Sequence, residues 1–120
     1  MNDEFDFKKL LVWQKAIEFA KEVITTVEAN TSDRKHYRLL EQIDSSASSI
    51  AMNIAEGKGR YSRKEFAQFL YIARGSLFET ITLLHIFASM DWISNECLEH
   101  LENKAKELSK MINGLVKSIK

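Results

Sequence analysis

SIAMNIAEGKGRYSRKEFAQFLYIARGSLFE, residues 49–79, decides the fold. Apolar residues at helical spacing run through Ile50 and Ile54 and then stop at Gly57. A glycine after a periodic run predicts a helix end in the left-handed conformation. Ser62 and Glu65 then have capping-box spacing, in which the hydroxyl accepts a backbone N–H and the carboxylate reaches back. A second periodic run follows from Phe66. The stretch therefore reads as helix, short turn, helix. The turn and its flank hold Lys58, Arg60, Arg63 and Lys64, with no acid between Lys58 and Lys64.

Across the chain, four runs in all repeat apolar residues at alternating three- and four-residue steps, the seam of a bundled helix. The first helix is predicted to use Leu10, Trp13, Ile17, Ala20, Ile24 and Val27. The second uses Leu40, Ile43, Ala47, Ile50 and Ile54. The third uses Phe66, Leu70, Ala73, Leu77, Leu84 and Phe87, with Thr80 in register. The fourth uses Leu98, Leu101, Ala105, Leu108, Ile112, Leu115 and Ile119. Asn30 to Asp33 and Asp91 to Ser94 supply polar links, with Ser94 a predicted N-cap and Glu96 in the first turn. Short links favour antiparallel neighbours. The chain has no proline to interrupt a long helix. The prediction is an all-α, antiparallel up-down-up-down four-helix bundle. It spans residues 1–120 as one domain, with residues 1–7 a flexible acidic terminus.

Composition narrows the function classes. Seventeen basic and seventeen acidic residues cancel, so no global attraction to nucleic acid or anionic membrane is predicted. One cysteine, Cys97, cannot make an internal disulfide. The acidic start is unlike a secretory leader, and no apolar run approaches the roughly 18 residues of a membrane span. The expectation is a soluble, cytoplasmic protein without membrane partners. His36, His85 and His100 fall on different segments. Glu96 and His100, with Cys97 nearby, make only a weak metal pattern, and no Glu-x-x-His pair of the di-iron bundles is present. No nucleophile elbow or phosphate-binding loop is present either. No catalytic residue, metal or cofactor is predicted, and the chain reads as non-enzymatic.

Other residues carry structural and binding expectations. Ser45, Ser46, Ser48 and Ser49 surround Ala47 in a small-residue run that lets another helix come close. Gly75 and Ser76 are its predicted counterpart on the third helix. Asn53 is expected to bridge helices, and Glu56 to meet the start of the third helix or pair with Arg60 or Arg63. A second apolar stripe on the third helix, through Phe69, Ile72, Leu83, Ile86 and Met90, predicts an interface and self-association. Bundle topology gathers the N-terminus, the second turn and the C-terminus at one end. That end would be net positive, with Lys58, Arg60, Arg63 and Lys64 the residues to meet phosphates.

The ordered set Ser49-Ile50-x-x-Asn53-Ile54-Ala55-Glu56-Gly57, then Arg60, Ser62, Glu65-Phe66, Phe69-Leu70, Ala73-x-Gly75-Ser76-Leu77 and Glu79 resembles the four-helix bundle proteins encoded in 23S rRNA intervening sequences. Leu11-Val12-Trp13-x-Lys15-Ala16 fits that family's opening, so the resemblance runs from about residue 8 to 119. It implies a four-helix bundle that assembles as a homopentamer. It also implies kinship with the accessory variability proteins of diversity-generating retroelements, which are basic and bind nucleic acid. This chain, by contrast, carries no net charge. Two functions follow as expectations. One is a homo-oligomeric scaffold binding structured RNA, or DNA, through its basic end. The alternative is a protein-binding adaptor that uses the extra apolar face without nucleic acid.

Overall fold

A computed structural model describes residues 3–30 and 36–120. A 3-10 turn at Asp6–Lys9 leads into α1 (Leu11–Asn30), followed by α2 (Tyr37–Lys58), α3 (Arg63–Ser89) and α4 (Asn95–Ile119). Each helix packs against two others, in the cyclic order α1, α2, α3, α4, and among the described residues the backbones of the diagonal pairs do not approach closely. Antiparallel neighbours follow from their cross-contacts. Ser46 meets Thr80 while Ser49 meets Ser76. On the other side of α3, His85 meets Glu102 and Tyr71 meets Lys120. The result is the expected four-helix bundle. The predicted Asn30 link begins at the last residue of α1, whereas Thr31, Ser32 and Asp33 lie outside the described residues.

Ile43, Ile50, Ile54, Leu70, Leu84, Phe87 and Ile112 are fully enclosed along the bundle axis. Burial of each such side chain contributes about 1.5–3 kcal/mol, and this core holds the helices in register. The predicted seams of α2, α3 and α4 face it. The α1 seam does so only at Ala20 and Val27. Val12, Ala16, Phe19, Ala20, Val23 and Val27 turn inward, and Ile17 is exposed. The apolar residues of α1 fill two adjacent stripes, both with helical spacing. Tertiary packing selected the stripe carrying Phe19, while Trp13 packs at the margin against Phe7.

Both expected N-caps form, whereas the expected helix stop at Gly57 does not. Ser62 accepts from the Glu65 backbone N–H at 3.1 Å, and Ser94 accepts from that of Cys97 at 3.0 Å. The Glu65 carboxylate meets the Ser62 hydroxyl at 3.2 Å, so the expected box closes through side chains. Gly57, however, does not stop α2. The helix continues to Lys58, and no glycine has a positive φ. Gly57 is buried because α3 crosses it there; a Cβ would lie 2.7 Å from Phe69 Cβ and 3.0 Å from Phe66 Cδ1. The left-handed residue is Asp91, with φ 61°. Around it Asp91 N–H donates to Ala88 O at 3.1 Å and Trp92 N–H to Phe87 O at 2.9 Å. This is the Schellman pattern. Its apolar clasp is the Phe87–Trp92 ring contact at 5.1 Å.

Candidate functional site

The basic turn separates into two paired and two unpaired cations. Lys58 Nζ lies 3.7 Å from Asp6, within the stretch expected to be a flexible terminus. Arg60 reaches the Glu56 carboxylate at 2.8 Å, and its guanidinium covers the Phe69 ring at 4.7 Å. Of the three partners expected for Glu56, the start of α3, Arg60 and Arg63, it thus takes Arg60. Arg63 and Lys64 are exposed in the first turn of α3 and close no ion pair among the described residues. Cations at a helix N-terminus oppose the helix dipole, by about 0.3–1 kcal/mol each. Their placement therefore does nothing for α3 itself. The end of α4 lies beside them. Arg63, Lys64, Tyr71, Ile119 and Lys120 line a groove of about 470 Å³.

The small residues of α2 form a hydroxyl ladder to α3. Thr80 is fully buried and donates to the Ser76 carbonyl at 2.8 Å, leaving its oxygen to accept from Ser46 at 2.8 Å. Ser49 and Ser76 are 2.9 Å apart. Asn53 does not itself bridge the helices. Its Nδ2 donates to the carbonyl and hydroxyl of Ser49, both at 2.8 Å, so it reaches α3 only through Ser49. Ser76 fulfils its predicted role as counterpart. Gly75 does not, because it is exposed and a Cβ there would meet nothing within 4 Å. The close approach of α2 and α3 is made at Gly57 instead.

The second apolar stripe of α3 is not one surface. Leu83 is 4% exposed and belongs to the core of its own bundle. Phe69 is half-buried beneath Arg60. Ile72, Ile86 and Met90 remain on the outside, and Met52 of α2 is also exposed. Tyr71 and Phe78, which the sequence pattern did not single out, are 43% and 51% exposed on the side facing α4. Their signal was a step of seven residues, two helical turns, just outside the core stripe.

Two of the three histidines bind carboxylates, on different helix pairs. His85 Nε2 lies 2.7 Å from Glu102, tying α3 to α4, and His100 Nε2 lies 3.0 Å from Glu22, tying α4 to α1. The hydrogen bond from His85 holds the Glu102 carboxyl below its ordinary range, assisted by the charge of Lys106. His36 stacks on Trp92 at 4.3 Å. No group of three metal-ligating side chains occurs among the described residues. No helix among them is long and apolar enough to cross a membrane. What the surface offers chemically is exposed cations beside exposed rings.

No curated protein matches this chain. A crystal structure of a protein of unknown function from the S23 ribosomal protein family of Bacteroides thetaiotaomicron is similar, with a TM-score of 0.82 and 28% identity. The match covers 89% of this chain and 99% of that one. Residues 8–114 match the family described as 23S rRNA-intervening sequence protein. With nearly the whole bundle inside that match, the chain belongs to the 23S rRNA-intervening sequence protein family.

Proposed function

We propose that this chain is a non-enzymatic, homo-oligomeric cytoplasmic scaffold that binds structured RNA through its basic end. The observation that carries the RNA reading is the pair Arg63 and Lys64, exposed and unpaired where a helix gains nothing from them. Lys58 and Arg60 play a lesser part because Asp6 and Glu56 already neutralise them. The family takes its name from 23S rRNA intervening sequences, and RNA is the polyanion that name favours. Self-association is supported by the exposed apolar side chains Ile72, Ile86 and Met90 of α3 and Met52 of α2. The pentamer is the stoichiometry that the family likeness favours.

Native mass spectrometry and a salt titration of binding to a structured RNA test both parts. The expected result is a closed oligomer whose RNA affinity falls as salt rises. Reversing Arg63 and Lys64 to glutamate should weaken binding more than reversing Lys58 and Arg60. Ile72→Glu should yield folded monomer. An assembly that binds no RNA even at low salt would refute the RNA reading and leave the protein-binding adaptor.

A further inference from the structure

Two rings stand in line along the seam between α3 and α4, each with a cation over it. Lys120 Nζ lies 5.6 Å from the Tyr71 ring centroid, and the Arg74 guanidinium lies 5.1 Å from that of Phe78. Seven residues separate the rings, which places them about 10 Å apart along the helix. Tyr71 borders the groove at the basic end. Phe78 borders a second groove of about 510 Å³ with Ile81, Lys106 and Ser109. Arg74 sits between them in sequence, and its Nε is buried without a hydrogen-bond acceptor. Arg63, Lys64, Arg74, Lys106 and Lys120 close no ion pair among the described residues. The acid bordering the second groove, Glu102, is engaged by His85.

Half-exposed rings interleaved with unpaired cations are the elements of a single-strand binding surface. Bases stack on the rings, and the charges follow the backbone. Consecutive bases of a DNA duplex strand rise only about 3.4 Å per step, and those of an A-form RNA duplex no more. Rings about 10 Å apart along a helix therefore suit bases that have left a continuous stack. The outer ridge of Ile72 and Ile86 is offset around α3 from Tyr71 and Phe78, so association through that ridge does not require the seam.

We infer that the α3–α4 seam is a groove for unpaired nucleic acid, in which Lys120 and Arg74 turn from the rings to the phosphates as bases stack on Tyr71 and Phe78, and Arg63, Lys64 and Lys106 hold further phosphates. This rests on the RNA reading above and narrows it to unpaired segments of the RNA. The test is fluorescence anisotropy of the full chain with a labelled oligouridylate and with a blunt RNA duplex. Tyr71→Leu and Phe78→Leu should each weaken the oligouridylate about tenfold and leave the duplex nearly unchanged. Tyr71→Phe should retain binding, and circular dichroism should report native helix in each variant. If the leucine variants bind the oligouridylate like the parent, or weaken both probes equally, the groove is overturned. The basic-end reading then still stands, provided that reversing Arg63 and Lys64 weakens binding. If the parent chain binds neither probe at low salt, both readings fall.

Discussion

A methyl group at Gly57 would sit 2.7 Å from Phe69 Cβ and 3.3 Å from the Phe66 carbonyl oxygen. Neither neighbour is the far end of a flexible side chain, so relief requires α3 to move away from α2. Overpacking of this kind costs about 1–3 kcal/mol, whereas alanine recovers up to about 1 kcal/mol of helix propensity over glycine. Gly57→Ala should therefore lower the thermal midpoint by several degrees. A raised midpoint would show that the contact yields easily. The residue was legible in the sequence, but its reason was not. Glycine at the end of an apolar run signals a left-handed stop, and only the crossing of α3 reveals a packing constraint. The converse holds at Asp91. Nothing local distinguished it from other link residues, yet it takes the left-handed position and lets Trp92 close on Phe87.

At the scale of the helix, α3 divides its outer surface among three tasks. Its α2 side carries the hydroxyl ladder and Phe69, its α4 side carries Tyr71, Arg74 and Phe78, and its outer side carries Ile72 and Ile86. Gly75 lies on that outer side with open space around it. In the isolated chain Gly75→Ala should stabilise by about 0.5–1 kcal/mol, because glycine in a helix interior only adds unfolded-state entropy. Gly75→Leu should also fold, contrary to its predicted place in the intramolecular notch, and should weaken self-association measured by sedimentation. Loss of native helix in Gly75→Leu would mean that the glycine serves the bundle itself. The apolar excess of α3 was visible in the sequence. Its partition was not, because residues one position apart on a helix can face different neighbours.

Across the whole molecule, two acids respond oppositely to pH. The hydrogen bond from His85 holds the Glu102 carboxyl low. Its contribution is therefore present above the unfolded carboxyl value and lost as pH falls through the folded one. Burial, then the Glu28 and Glu41 carboxylates, holds the Asp44 carboxyl high. That contribution is present below the unfolded value and lost as pH rises through the folded one, so ionised Asp44 destabilises the neutral protein. Thermal melts at about pH 7 should then place Glu102→Gln below the parent and Asp44→Asn above it. Both differences should shrink on acidification to about pH 3, where carboxyls take up protons. An Asp44→Asn midpoint equal to the parent's at neutral pH would remove the repulsion argument.

The sequence by itself determined the number of helices, their ends at Ser62 and Ser94, three of the four core seams and the family. These depend on spacing and capping chemistry within a few residues, which a one-dimensional pattern records. Tertiary structure decided which stripe of α1 turns inward, that Leu83 belongs to the core, and that Gly75 is open. It also decided which cations are spent on Asp6 and Glu56 and which stay available beside Tyr71 and Phe78. Pairing and stacking join residues distant along the chain. Lys120 comes to Tyr71, and Asp6 to Lys58, only after the helices have packed antiparallel.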